Sequence, residues 1–326
     1  MDLQPWPHAE SPFHAGEQAA QQRAGKREQM EAAGRRVVRP AMPEHHRLFF
    51  AQLPFVLVGA VDGEGMPWAT MLSGAPGFMQ APDPGHLHIG GHVLAGDPLA
   101  DALHPGADIG LLGIELHTRR RNRMNGRLLA ADEAGMTVAV TQSFGNCPRY
   151  IQLRHWREAG ADEMAGSPAW YGDALDTGAA DALRAADTIF IATHHRDAAS
   201  AHSGGADVSH RGGKAGFVRV DDARTLTFPD FNGNNYFNTI GNLVANPRAG
   251  LLVPDFERGG LLQLSGRGEI VWSGAEVAGF AGAERLVRLH VERVVRRPGV
   301  VPLRWRFEAM SPALAQTGGW DASAGH

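Results

Sequence analysis

Two segments of this 326-residue chain repeat each other in register. GAPGF at Gly74 to Phe78 matches GKAGF at Gly213 to Phe217, and Leu87 of LHI follows Phe78 at the distance by which Leu226 of LTF follows Phe217. The offset is 139 residues in both places. Further on, LHPGADIGLL from Leu103 matches LVANPRAGLL from Leu243, and Gly126-Arg127 matches Gly266-Arg267, at an offset of 140. Register held to one residue through apolar runs and glycines alike predicts one small fold built twice. Within each copy the runs are short and bounded by turns. LFFAQLPFVLVGAV, WATMLSGAPGF and LHIGG are separated by stretches such as DGEGMP, which is the texture of strands in a meander. The expected fold class is therefore mainly β: two tandem barrels with short flanking helices.

The order along the chain predicts an N-terminal extension with a helix over 1–45, a first barrel over 46–160, and a linker with a short helix over 161–186. A second barrel over 187–310 and a flexible tail over 311–326 follow. Gly16 to Arg36 reads as one polar helix. DPLADAL, with Asp97 as cap and Pro98 in the first turn, reads as a short helix. DALRAAD and TIGNLVANP read as helices, and so does AEVAGFAGAERLV, whereas RLHVERVVR and PLRWRFEAM read as strands.

A formal net charge of -4 gives no global reason to bind nucleic acid or an anionic membrane. No apolar run approaches the roughly 20 residues of a membrane span, and the N-terminus shows no apolar signal segment, so the expected location is cytoplasmic. The single cysteine, Cys147, cannot form an internal disulfide and excludes a cysteine-based zinc cluster within one chain. Adjacent histidines such as His45-His46 and His194-His195 point to opposite faces of a strand, so no metal site is expected. Cys147 reads as a packed thiol; Arg149 and Arg154 are the cations that could activate it.

The informative residues are those that break the repeat. Where the first copy has GGHVLAGDPLADAL, the second has PDFNGNNYFNTIGNL, rich in asparagine and glycine. Asparagine donates and accepts, and glycine lets backbone amides approach a ligand. A loop of this kind running into a helix N-terminus can hold phosphate and hydroxyl oxygens. The other reading is a surface turn in which Asn238 and Asn242 are helix caps. SHRGGK, Ser209 to Lys214, supplies the hydroxyl, imidazole and two cations that would face such a cradle. TRRRNRMNGR is the strongest local positive patch, and on an extended strand Arg119, Arg121 and Arg123 would share one face. It reads either as an anion site or as a charged edge strand.

Taken together, HRGGKAGFV, FPDFNGN, GNLVANPRAGLLV and, in the first copy, SPFHAGE, APGF, TRRRNRMNG and SFGNCPRYIQ resemble a tandem branch of the pyridoxamine 5'-phosphate oxidase-like FMN-binding split-barrel superfamily. The resemblance runs from about Ser11 to Phe307. It implies two tandem FMN-binding split barrels, with FMN between them. It places the flavin phosphate near Arg211 or Lys214, with Asn238 and Thr239 standing where the family usually has cations. Pro229, Asp230, Phe231, Asn232, Gly233 and Asn234 would meet the ring or ribityl chain. Ser209, His210, Asn242, Arg119 and Arg121 complete the candidate set, and Arg149 and Tyr150 could reach the site from the other barrel.

The activity implied is that of an FMN-dependent oxidoreductase acting on a small-molecule substrate or electron donor such as a nicotinamide cofactor. No catalytic acid or base stands out, and a homodimer is compatible with the chain. Some split-barrel relatives bind haem through histidine, which keeps a haem-binding or non-catalytic protein as the alternative, with His14, His194 and His210 as candidate ligands.

Overall fold

The computed structural model describes residues 6–94, 96–164, 168–196, 199 and 202–320. Three helices open the chain: α1 (Ala15–Arg23), α2 (Arg27–Val37) and α3 (Glu44–Ala51). The first sheet follows with β1 (Phe55–Val61), β2 (Pro67–Ser73), β3 (Met79–Asp83), β4 (His86–Ile89), β5 (Asp108–Glu115), β6 (Arg120–Asp132) and β7 (Gly135–Gly145). Between the sheets lie β8 (Leu153–Glu158), β9 (Trp170–Gly172) and α4 (Thr177–Ala185). The second sheet contains β10 (Thr188–His195), β11 (Gly205–Gly212), β12 (Arg219–Asp222) and β13 (Thr225–Phe231). After α5 (Asn238–Ala245) come β14 (Arg248–Asp255), β15 (Gly260–Val271), α6 (Ala275–Ala278) and β16 (Ala283–Arg297). The last strand, β17 (Leu303–Ala309), pairs with β8.

The chain is mainly β, as expected, and its two sheets share one antiparallel strand order. The first runs β2-β1-β5-β6-β7-β4-β3 and the second β11-β10-β14-β15-β16-β13-β12. Each split barrel closes on its own apolar core, around Val58, Leu87 and Ile109 in the first and Ile191, Leu226 and Leu251 in the second. A third core joins them. Leu57, Leu112 and Ile114 meet Phe190, Val208 and Leu252 across the interface.

The glycines that keep the repeat in register have a physical reason. Gly126 and Gly266 each sit at a β-bulge, where an added Cβ would lie 2.1 Å from the Ala139 carbonyl oxygen or 2.0 Å from that of His290. Neither position admits a side chain. Gly110 and Gly250 hold the barrels together in the same reciprocal way. A Cβ on Gly110 would meet Ala206 O at 2.7 Å, and one on Gly250 would meet Pro67 O at 2.2 Å. The halves thus face each other across a pseudo-twofold relation.

Several local expectations are corrected. The polar N-terminal helix is two helices, because the chain turns at Gly25 with φ +65. EHHRLFFA is helix α3 rather than part of the meander, since His46, Phe49 and Phe50 fall on one buried helical face. DPLADAL forms turns only, with Asp97 turned into the interior. The helix read over AEVAGFAGAERLV stops at Ala278, and Arg285 lies on strand β16. The tail read as flexible is packed as far as Trp320: Pro312–Gln316 is a 3-10 turn, and the Trp320 indole donates to Phe217 O at 2.9 Å. Residues 321–326 lie outside the described residues.

Candidate functional site

The repeat is broken most sharply between β13 and β14, and a cleft between the two barrels opens there. It encloses about 790 Å³, counting its mouth. The first barrel supplies Leu112, Arg121, Arg123 and the Asn146–Cys147–Tyr150 segment. The second supplies Ser209 to Gly212, most of Pro229 to Ile240, and Arg285.

PDF of the asparagine-rich stretch still belongs to strand β13, so the loop proper is Asn232 to Phe237. Two of its residues, Asn235 at φ 59 and Phe237 at φ 62, are left-handed. For a bulky residue such as Phe237 that conformation costs about 1–2 kcal/mol and persists only where packing holds it. Here the Phe237 ring is buried in the second core, with the Arg285 guanidinium 4.8 Å from its centroid. The consequence is a helix without a cap. Phe237 makes no side-chain cap bond, and Asn238, Thr239 and Ile240 at the start of α5 line the cleft. The Thr239 hydroxyl is buried without a partner among the described residues.

Four guanidiniums converge on this space. Arg285 lies opposite Asp230 in the β13–β16 ladder and pairs with it at 2.5 Å, while Arg211 Nε meets the other Asp230 oxygen at 3.1 Å. Arg123 is held by Asp207 at 2.7 Å, by Ser209 Oγ at 2.6 Å and by Asn238 Oδ1 at 2.7 Å. Arg121 differs from the other three. It donates to the Cys147 carbonyl at 2.8 Å and to Cys147 Sγ at 3.6 Å, and no carboxylate pairs with it among the described residues. Loss of water around it lowers its pKa to about 10, so it remains cationic at neutral pH. Arg285 also takes Glu284 at 2.7 Å, and four cations against Asp207, Asp230 and Glu284 still leave the cleft positive.

His210 sits on edge strand β11 with both ring nitrogens buried and unpartnered among the described residues, 5.6 Å from the Phe190 ring centroid. Burial, reinforced by Arg121 and Arg211, pushes its pKa well below the usual range and keeps the imidazole neutral. At the mouth the Tyr150 hydroxyl donates to Asn232 O at 3.0 Å, and the Tyr150 ring lies 5.1 Å from Phe231. Asn234 Nδ2 donates to Asn146 Oδ1 at 3.3 Å.

The back of the site is built by the N-terminal helix. A Cβ on Gly241 of α5 would come within 2.5 Å of Glu17 Cα, and one on Gly16 within 2.2 Å of Gly241 O. That close approach brings Glu17 to Asn238, whose Nδ2 donates to Glu17 Oε1 at 2.5 Å. Burial pushes the Glu17 carboxyl up to about 8, against the His14 amide and Asn238, which pull it down.

Of the residues read from sequence, Ser209, His210, Arg211, Pro229, Asp230, Phe231, Gly233, Asn234, Asn238, Thr239 and Arg121 line the cleft. Four candidates do not. Arg119 sits in the β5–β6 turn with φ +56, before strand alternation begins, and donates to Ile151 O at 2.9 Å. Lys214 lies beyond the end of β11 and donates from Nζ to Thr317 O at 2.6 Å. Asn232 turns outward to Arg149 at 2.7 Å and Glu284 at 2.7 Å. Asn242 lies on the buried face of α5 and bonds His14 Nε2 at 2.9 Å and Thr193 Oγ1 at 3.0 Å. Neither Asn238, the first helical residue, nor Asn242 caps α5.

The sequence reading put Arg123 on the basic face of its strand without carrying it into the candidate set, and it missed Arg285. Arg285 had a signal, since a buried Asp230 requires a cation, but the helix read at AERLV concealed the pairing strand. Arg149 and Arg154, the cations considered for Cys147, engage Asn232 and Asp187 instead. A wider recess of about 1380 Å³ lies between α4 and the β14–β15 turn; its buried Arg154 and Arg297 already pair with Asp187 and Asp97. His8, Glu10 and His202 bring possible ligand atoms within 4.8 Å of one another at the surface, and none of the three lines the cleft. No helix among the described residues is long and apolar enough to cross a membrane.

Residues 175–310 match the family model of pyridoxamine 5'-phosphate oxidase. No curated protein matches the chain. Among solved structures, tagged HupZ of Group A Streptococcus is 19% identical over 37% of this chain and 91% of its own, with a TM-score of 0.29. The FAD binding protein of Mycobacterium smegmatis is 16% identical over 39% of this chain and 98% of its own, at 0.27. An FAD-binding protein of Mesorhizobium loti is 15% identical over 40% and 97%, at 0.26. The α5 helix, its loop and the guanidiniums Arg211 and Arg285 all fall inside the matched residues, so it is the second barrel that is similar to the pyridoxamine 5'-phosphate oxidase family.

Proposed function

We propose that the cleft holds FMN and that the chain is an FMN-dependent oxidoreductase. The observation that carries this reading is the uncapped N-terminus of α5, which opens on the cleft also lined by Arg121, a guanidinium without a carboxylate partner among the described residues. Free helix amides and an unneutralised cation together suit a phosphate. The unpartnered Thr239 hydroxyl supplies a further donor. Arg121, Thr239 and the α5 amides would hold the phosphate, with Arg211 beside them. Asp230 keeps Arg211 and Arg285 fixed and limits the positive charge. Pro229, Phe231 and Gly233 form the wall left for the flat ring, and Tyr150 closes the mouth over them.

When bound, the flavin supplies hydride or single-electron transfer. The protein's part is to position it, exclude water and leave the mouth open to a small substrate or a donor such as a nicotinamide.

A second reading, haem binding, is favoured by one observation: His210 presents unpartnered ring nitrogens in the cleft wall, whereas His14 bonds Asn242 and His194 pairs with Asp108 at 3.0 Å. The two readings separate on the visible spectrum of the purified chain. A flavin spectrum whose chromophore is released as FMN on denaturation supports the proposal. A Soret band lost in His210→Ala supports haem. A colourless chain that FMN does not stabilise against melting overturns both.

A further inference from the structure

The pseudo-twofold relation means that every wall of the cleft has a counterpart on the other side of the molecule. The counterpart can be traced by hydrogen bonds. Arg123 donates to Val208 O at 3.1 Å, and Gln263, 140 residues on, donates to Ala69 O at 3.0 Å. Ser209 takes Arg123 at 2.6 Å; the matching Thr70 hydroxyl instead donates to Asp97. Asp97 lies between β4 and β5, as the start of α5 lies between β13 and β14.

The place that Asn238 takes beside Arg123 in the cleft is taken there by a carboxylate, Asp97. Asp97 Oδ2 accepts from Thr70, from Gln263 at 3.2 Å and from Arg297 at 2.5 Å, and its Oδ1 accepts the Leu99 amide at 3.0 Å. The Asp97 and Arg297 side chains are only 1% and 3% exposed. Meanwhile the charged wall is gone: Leu261 stands where the cleft has Arg121 and Leu72 where it has Arg211, both buried among apolar neighbours.

We propose that the first half has no second ligand site: the Asp97 carboxylate permanently fills its polar corner, where the cleft has Asn238, and Leu261 and Leu72 replace Arg121 and Arg211, so that each chain takes one phosphate-bearing ligand and not two. The count of one rests on the FMN reading above; the built-in carboxylate does not. A carboxylate held by a hydroxyl, an amide nitrogen, a backbone amide and a guanidinium has the donor set of a bound anion. Removing its side chain leaves Arg297 buried without a counter-charge and a space the size of a small carboxylate.

The test is chemical rescue. Asp97→Gly is expected to melt below the wild type, and formate to raise its melting temperature towards the wild-type value, where chloride at equal ionic strength does not and the wild type does not respond. Equal responses of variant and wild type to formate, or no response in the variant, overturn the built-in carboxylate. A second measurement needs no variant. FMN titrated into the wild-type chain should saturate at one per chain, and two per chain overturns the proposal even if Asp97→Gly fails to fold. Absence of FMN binding defeats the FMN reading and the count that depends on it, and leaves formate rescue to decide what fills the first-half corner.

Discussion

Asp230 on β13 faces Arg285 on β16 across the sheet, and its second oxygen takes Arg211 from edge strand β11, so one buried carboxylate fixes two of the four guanidiniums of the cleft. Asp230→Asn should act in two directions. Arg285 would keep only the half-exposed Glu284 and Arg211 would lose its carboxylate, so stability should fall by about 3–5 kcal/mol in urea unfolding. The same change makes the cleft more positive, so phosphate-bearing ligands should bind the folded variant more tightly. Equal or weaker affinity for FMN would place the phosphate away from these arginines.

Arg121→Ala removes the guanidinium that has no carboxylate partner. A lost charge-assisted bond of about 1.5–3 kcal/mol weakens FMN by roughly tenfold to a hundredfold, read by flavin fluorescence titration. Arg121→Lys should recover part of it, since the charge remains and the fork does not.

Thr239→Val tests whether the unpartnered hydroxyl awaits a ligand. Without a ligand the isosteric change should be nearly neutral, because no protein bond is lost. With FMN present the same variant should lose about 0.5–1.5 kcal/mol of binding by titration calorimetry. A loss of stability in the ligand-free protein would show that the hydroxyl has an internal role.

Glu17 predicts a pH dependence. Its pKa is raised from 4.5 to about 8 by burial, so between those values the folded chain holds a proton that the unfolded chain releases. Stability from this group is therefore complete below 4.5 and lost as pH rises towards 8. Relative to wild type, Glu17→Gln should gain up to about 1.4 kcal/mol per pH unit across that window. Urea unfolding at several pH values, with a flat difference between the two proteins, would contradict it.

Gly241→Ala drives a methyl into Glu17 Cα at 2.5 Å. The α1–α5 contact has no room to absorb it, so the cost should be about 1–3 kcal/mol in thermal or urea unfolding, with FMN affinity falling as α5 is displaced.

The fold was readable because the repeat is enforced by backbone geometry. Gly126 and Gly266 bulge and Gly110 and Gly250 touch a facing strand, so these positions hold register when side chains drift. The loop was legible for the same reason, as a departure from that register, and Arg211 as a cation of SHRGGK and through the family resemblance. Three features were not. Helix α3 carries the aromatic texture of a strand, and only its packing against Leu53 and Gly113 shows why it coils. Arg285 was hidden by the alanines of AEVAGFAGAERLV, which favour helix locally, while β-pairing decides the outcome. Arg119 lies outside the cleft because strand alternation was extended past the start of β6, and Lys214, read as the second cation of SHRGGK, because β11 ends at Gly212.

The α1–α5 contact and the clasp of Tyr150 on Asn232 also mean that the family-like region is not self-sufficient. Residues 175–310 carry the helix and the loop, but Glu17 and Arg121 come from well upstream. Cutting the chain between its halves would leave two pieces of which neither owns a complete ligand wall. Two sheets of one strand order, carried on one chain, thus share a single cleft, and each barrel is the other's missing wall.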